Sequence, residues 1–228
     1  AQCGDRCSGR PRRRVGRIVM TDELGFYRSR ILPRLMNTAM DSDENREIRT
    51  RVCANLHGTV VEIGFGSGLN VPHYPVDVHT VHAVEPATRS IALAAERIET
   101  GTPHVLHTSL TGERIGLPDA SADAVVSTWT LCSIPDAAAA LHEIRRVLKP
   151  GAALHFVEHG IAPDPHLARR QSRLEPISKA LFGGCHLTRD IPTMILAAGF
   201  TIDHIDTYQH PKEPRPFGWT FEGRASAR

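Results

Sequence analysis

The stretch Val60-Val61-Glu62-Ile63-Gly64-Phe65-Gly66-Ser67-Gly68-Leu69-Asn70 decides how this chain of 228 residues is read. Val60, Val61 and Ile63 are apolar and β-branched, the composition of a strand covered on both faces. Glycines at 64, 66 and 68 then let the backbone turn sharply and bring its N–H groups against a ligand that a Cβ would hold away. A strand running into such a turn is how an α/β sheet builds a nucleotide site at the carboxyl end of its first strand. The glycines run G-x-G-x-G, and Leu69 fills the last position of the dinucleotide fingerprint G-x-G-x-x-G.

Two further blocks lie downstream. Thr80-Val81-His82-Ala83-Val84-Glu85-Pro86 is a short apolar strand ending in a carboxylate, seventeen residues beyond Gly68. A carboxylate at that tip accepts hydrogen bonds from both hydroxyls of a ribose, and its charge strengthens them. The bland reading of Glu85 is a solvated charge at a strand end. The third block runs from Asp123-Ala124-Val125-Val126-Ser127-Thr128-Trp129 through Pro135-Asp136 to Leu148-Lys149-Pro150-Gly151. Leu141, Ile144 and Leu148 make one helical face. Pro150-Gly151 is expected to stop the helix and turn the chain into a strand from Ala153 to Val157.

The glycine turn with its preceding acid resembles motif I of the class I S-adenosylmethionine-dependent methyltransferases, and the third block resembles their motifs IV and V. The resemblance covers nearly everything from Phe26 to Ala225. Its most specific stretches are GFGSGLNVPHYP, STWTLCSIPD, FVEHG and GGCHLTRD. They are similar to the branch holding bacterial phosphatidylethanolamine N-methyltransferase-like proteins and the membrane-anchored mammalian thiol methyltransferases. The resemblance implies S-adenosyl-L-methionine as cofactor. It implies contacts to that cofactor at Glu62, Gly64, Gly66, Gly68, Asn70, Glu85, Pro86, Thr111, Gly112, Glu113, Ser127, Thr128 and Trp129. One departure stands at Thr111, where many relatives carry an acid that contacts the adenine amine. The Thr111 hydroxyl can accept that hydrogen bond, and the amide of Gly112 or Glu113 can donate to the ring.

The implied fold is α/β: a Rossmann-like seven-stranded mostly parallel sheet with one antiparallel edge strand, helices on both faces and an N-terminal helical cap. Residues 20–225 read as a single domain, with the cap at 20–56. In the cap, Leu24, Tyr27, Ile31 and Leu35 make one helical stripe and Ile48, Val52 and Leu56 another. Asp41-Ser42-Asp43 is the turn and N-cap between them. Tyr27 belongs either to that packing stripe or to the site. Strands are expected near 59–63, 80–84, 104–107, 124–128 and 153–158, a helix at 87–99, and a hairpin-like pair near 201–207 and 217–222.

A hydrophobic content of 41% suffices for one large core, and a net charge of +2 argues for neither a nucleic-acid nor an acidic-membrane partner. Residues 1–19 concentrate Arg6, Arg10, Arg12, Arg13, Arg14 and Arg17 and read as a disordered arm. The arm is an upstream extension of a reading frame starting at Met20, a segment touching phospholipid headgroups, or a nucleic-acid arm. No stretch reaches the roughly 20 apolar residues of a spanning helix, so a cytoplasmic protein is expected, with peripheral membrane contact left open. Cys3, Cys7, Cys53, Cys132 and Cys185 show no metal spacing. His155 and His159 on one strand lie about 13 Å apart. No metal is expected.

The insertion 159–190 is expected to choose the acceptor, since variable loops on a rigid α/β frame carry specificity. Ile177, Ala180, Leu181 and Phe182 make it apolar, which suits either a lipophilic acceptor or a cap helix packed on the domain. The expected activity is methyl transfer to a small, rather apolar acceptor, a thiol first. A phospholipid amine or quinone-type hydroxyl comes second, and a non-catalytic cofactor-binding protein third. A thiol must lose its proton to react, and His159 and His186 are the candidate bases. Each has a structural alternative, a backbone hydrogen bond for His159 and a pairing with Asp190 for His186. Cys185 reads as a small apolar filler.

Overall fold

The computed structural model describes residues 27–109 and 111–227. The arginine-rich segment 1–19, with Cys3 and Cys7, and Leu24 of the first stripe lie outside the described residues. After a π-helical turn, Tyr27–Ile31, come α1 (Leu32–Ala39) and α2 (Asp43–Cys53). Then follow β1 (Gly58–Ile63), β2 (Val78–Val84), α3 (Thr88–Thr100), β3 (His104–Ser109), β4 (Ala122–Thr128), α4 (Ala137–Val147) and β5 (Leu148–His159). The chain closes with α5 (Pro165–Leu181), α6 (Ile191–Ala197), β6 (Phe200–Gln209) and β7 (Trp219–Ala227).

The seven strands form one sheet in the order β3-β2-β1-β4-β5-β7-β6. β1 to β5 pair in parallel, and β7 runs antiparallel to both β5 and β6. The antiparallel pair thus closes one edge of a mostly parallel sheet, as the family resemblance implied. Successive residues of the central strands enter opposite cores. Val61, Ile63, Val125, Leu154 and Phe156 pack with Leu141, Ile144, Ile191 and Ile195 on one face. Val60, Val126 and Val157 pack with Ile48, Val52, Tyr74 and Ala94 on the other. Double coverage explains why these strands read as unbroken apolar runs.

Order reverses between β1 and β4, because β2 and β3 extend to one side and β4 and β5 to the other. A crevice opens at that point, outside the carboxyl ends of both strands. Ser42 caps α2 by accepting a hydrogen bond from the Asn45 N–H, as the turn sequence predicted.

Two expectations change. Ile31 and Leu35 are 47% and 51% exposed, whereas Leu32 is buried. The π-helical turn adds a residue to its turn and rotates the apolar face by one position, which a 3.6-residue stripe does not anticipate. Strand β5 begins at Leu148, ahead of Pro150-Gly151. The helix stops because Lys149 precedes a proline and is driven to extended backbone. Gly151, at φ +80, takes up the register shift before Ala153. Among the described residues no helix is long and apolar enough to cross a membrane.

His155, buried in β5, has its pKa pushed down to about 4 by burial, with Arg224 adding repulsion. A depressed value means that the fold holds His155 neutral. Its stability is present above the unfolded value of 6.5 and is lost as pH falls through about 4. Equilibrium unfolding at pH 7 and pH 4 should show wild type losing about 3 kcal/mol more than His155→Gln, from about 2.5 units at 1.36 kcal/mol each. Equal losses would contradict the assignment.

Candidate functional site

The glycine turn after β1 carries Gly64, Gly66 and Gly68 at φ +69, +56 and +74, a region that disfavours other residues. Their surroundings differ. A Cβ on Gly64 would lie 2.1 Å from Thr130 Oγ1, and one on Gly68 would press on Ala94 of α3. Among the described residues, a Cβ on Gly66 would have only the Gly64 carbonyl oxygen near it, at 3.7 Å. Glu85, at the end of β2, accepts the Gly66 N–H at 2.9 Å and the Ala87 N–H at 2.7 Å, so the turn and the strand tip are braced together. Burial raises its pKa, and those two N–H groups work against the rise.

Glu62 is wholly buried beneath the turn, accepting hydrogen bonds from Asn70 Nδ2 at 2.7 Å and from the Tyr74 hydroxyl. Burial pushes its carboxyl up to about 7, against the pull of Tyr74, Arg49 and Asn70. Arg49 reaches in from α2, donating from Nη1 to Asn70 Oδ1 at 2.6 Å and Thr128 Oγ1 at 3.0 Å. Its guanidinium lies 4.9 Å over the Trp129 ring. Its Nε is buried without a partner among the described residues.

A cavity of about 440 Å³ sits over this network. Of the residues predicted from sequence, Glu62, Gly64, Gly66, Glu85, Pro86, Thr128 and Trp129 line it, joined by Arg49 and by Leu32, Met36 and Met40 of the cap. Asn70 and Ser127 are fully buried one layer below, bonded to Glu62 and Glu158 respectively. Gly68 packs on α3. Thr111, Gly112 and Glu113 lie away from the cavity: Thr111 bridges to Arg114, Gly112 is buried near Ile134 and Ile63, and Glu113 accepts from the Asp136 N–H.

A second cavity, of about 460 Å³, shares Met36, Met40 and Trp129 with the first. Its walls are apolar, from Leu35, Phe182, Leu187, Pro214 and Phe217, and its polar end holds Cys132, Ser133, His159, Cys185 and Glu213. Trp129 is the common wall, held at φ +52 with its N–H donating to the Val157 carbonyl. The turn that follows is gathered by Glu158. This fully buried carboxylate accepts from Ser127 Oγ and from the N–H groups of Thr130, Leu131 and Cys132.

His159, ending β5, places Nε2 3.1 Å from Glu213 Oε2 and Nδ1 3.8 Å from Cys185 Sγ. Burial opposes its charge, but Cys132 and Glu213 outweigh that and hold it up to about 10. The two sulfurs of Cys132 and Cys185 are 3.5 Å apart, and contact with Cys185 followed by burial pushes the Cys132 thiol up. The fold brings Cys132, His159 and Cys185, distant in sequence, together with donor atoms within 4.8 Å. His186 lines neither cavity; its Nδ1 lies 3.0 Å from Glu175, while Asp190, its anticipated partner, caps α6. Tyr27 ties the cap to the insertion through a hydrogen bond to the Leu181 carbonyl.

Sequence reading missed Arg49, Glu158 and Glu213. Glu158 left a signal, a lone acid one residue before the end of an apolar strand, just as Glu62 is. Arg49 sits in a helix so charged that one buried arginine does not stand out, and Glu213 lies in a loop without pattern.

Residues 61–156 match the family described as "Methyltransferase domain". A thiol S-methyltransferase of Rattus norvegicus is 35% identical over 174 residues, 71% of this chain and 65% of its own length. The match thus spans just under two thirds of that relative. Its counterpart in Mus musculus is 33% identical over 194 residues, 77% of this chain and 73% of its own. Among solved structures, a methyltransferase of Thermotoga maritima, described as a possible histamine N-methyltransferase, covers 93% of this chain and is itself 97% covered. Its TM-score is 0.59 at 23% identity, a likeness of fold.

Replacing Glu158 with Gln keeps the shape but turns an N–H₂ toward backbone donors. Guanidinium unfolding should fall by about 2–3 kcal/mol, against less than about 0.5 for the exposed control Glu47→Gln. A loss no larger than the control's would show that Glu158 does not hold the turn.

Proposed function

The chain belongs to the S-adenosylmethionine-dependent methyltransferase family, and on that premise we propose that it methylates the sulfur of a small, apolar thiol, using S-adenosyl-L-methionine. The observation that carries this reading is the pair of adjoining cavities, one floored by the glycine turn and one apolar with a thiol-and-imidazole end, meeting at Trp129. When bound, the cofactor supplies a methyl group already activated on a sulfonium sulfur.

The chain's own residues then have to bind and align. The glycine turn fits the cofactor because the open face of Gly66 is a cradle that a side chain would fill. Glu85, braced by two backbone N–H groups, keeps lone pairs for the ribose hydroxyls. Arg49 Nε is buried without a partner among the described residues, and we assign it to the carboxylate of the cofactor's amino-acid tail. Trp129, Met36 and Met40 border both cavities, so donor and acceptor meet there. Holding nucleophile and methyl carbon in line is worth several kcal/mol of the barrier, by about 7–11 at most.

The apolar walls favour an acceptor without charge, and a polarizable sulfur suits the methionine and aromatic lining. The mammalian relatives named thiol S-methyltransferase support the same choice. His159 is the polar group of the predicted pair that faces this cavity.

Methyl-labelled S-adenosylmethionine offered with a small alkyl thiol, a phospholipid amine and a quinol tests the reading. Label should pass to the thiol, and Gly66→Arg, whose side chain fills the cradle, should lower transfer at least about 100-fold, or about 2.7 kcal/mol. Label on the amine or the quinol instead would overturn the thiol reading, and no transfer to any of the three would overturn the activity.

A further inference from the structure

We propose that Cys132, Cys185 and His159 form a zinc site at the polar end of the apolar cavity, with its fourth coordination position open to the acceptor thiol. The metal site stands on the geometry of these three residues; only the identity of the fourth ligand rests on the thiol reading above.

Two of the three donor-to-donor edges match those around one ion. Tetrahedral zinc takes sulfur at about 2.3 Å and imidazole nitrogen at about 2.0–2.1 Å, which sets donor-to-donor edges of about 3.6–3.8 Å. Cys132 Sγ and Cys185 Sγ are 3.5 Å apart, and Cys185 Sγ is 3.8 Å from His159 Nδ1. All three donors lie within 4.8 Å of one another. Two thiolates and one imidazole are a donor set that selects zinc over the hard cations.

The surroundings fit as well. Glu213 Oε2 stands 3.1 Å from His159 Nε2, and Nδ1 is the ring nitrogen on the side of the sulfurs. A carboxylate behind a ligating histidine is the usual outer support of a zinc site. Apolar filler has no use for it. The ligand segments are also fixed in advance. The Cys132 N–H donates to Glu158 Oε2 at 3.0 Å, and the Cys132 carbonyl accepts from the His186 N–H at 2.8 Å. This last bond joins the turn after β4 to the insertion that carries Cys185.

All three ligands line the apolar cavity, so the open position faces the space where an acceptor would lie. An entering thiol gives its proton to solvent as its sulfur takes that position, and a thiolate is thereby held at neutral pH. One sulfur lone pair forms the new S–C bond while the sulfonium S–C bond breaks, its electron pair returning to the cofactor's sulfur. The uncharged thioether is a poorer ligand and departs. Zinc is neither oxidised nor reduced.

The full chain, reduced and stripped with a chelator, is titrated with cobalt(II) as a coloured stand-in for zinc. One cobalt per chain should bind, with a thiolate-to-cobalt charge-transfer band and the visible bands of tetrahedral geometry, all removed by added zinc. Cys185→Ala should weaken binding at least about 100-fold, and Glu213→Gln about 10–100-fold. Cys53→Ala, a buried thiol elsewhere, should change nothing. Addition of a small alkyl thiol should strengthen the charge-transfer band. No uptake by the reduced chain, as a simple thiol pair or a disulfide-forming pair would give, overturns the site. So does uptake indifferent to Cys185→Ala. Uptake with no response to the alkyl thiol overturns the open position. Because cobalt is read without turnover, a failure of methyl transfer to thiols would leave the metal result standing.

Discussion

A single carboxylate at the end of β5 organises the meeting point of the two cavities. Glu158 is fully buried, and an ionised group there is tolerable only when its lone pairs are filled. Four donors fill them, the Ser127 hydroxyl and the N–H groups of Thr130, Leu131 and Cys132. Three successive backbone amides can converge on one carboxylate only if the chain leaves β4 in a tight turn. That turn forces Trp129 into left-handed backbone, where it becomes the wall between the cavities. The same turn delivers Cys132 to the polar end of the apolar cavity. One buried anion thus fixes both the partition and one of the groups beyond it.

A matching device works beneath the glycine turn. Glu62 stands one residue before the end of β1 as Glu158 does in β5, and it too accepts from donors, Asn70 and Tyr74, with Arg49 close enough to offset part of its burial. Arg49 comes from the cap, so the network fastens α2 to the sheet as well as setting the cavity floor. Arg189 repeats the pattern from the insertion, donating to the carbonyls of Leu131 and Ile134. Cap, sheet and insertion are held together by buried and half-buried polar groups, each answered by dipoles or by the opposite charge.

The parallel sheet was legible because its evidence is local. A strand buried on both faces must be apolar throughout, and a crevice-forming turn must carry glycine, so β1 and its turn announce themselves in eleven residues. The glycine-side residues of the candidate site carry local signals for the same reason: Gly64, Gly66 and Glu85 sit where a strand ends. Ile31 and Leu35 were misread because a π-helical turn shifts the apolar face without any mark in the hydrophobic pattern. Glu213 and the pairing of Cys132 with Cys185 were out of reach because they depend on segments 53 or more positions apart. Spacing rules detect metal ligands on one loop or helix, and this cluster is assembled from a strand end, a turn and an insertion.

That division follows from the topology. The crevice lies where the strand order reverses, so its floor is built from consecutive strand ends whose chemistry must be written next to the strands themselves. Whatever stands above the floor arrives from elsewhere in the chain: α1 and α2 ahead of the sheet, the insertion behind β5, and the loop between β6 and β7 that brings Glu213 and Phe217. Those segments are bound to one another by Tyr27 to Leu181 and by the Phe182–Phe217 ring contact at 5.8 Å, and to the frame by His186 to Cys132. The floor can therefore stay constant while the roof is rebuilt, because a substitution in the insertion disturbs none of the donors that satisfy Glu62 and Glu85. His159 is where floor and roof meet: a strand residue whose ring faces Cys185 from the insertion on one nitrogen and Glu213 from the last loop on the other.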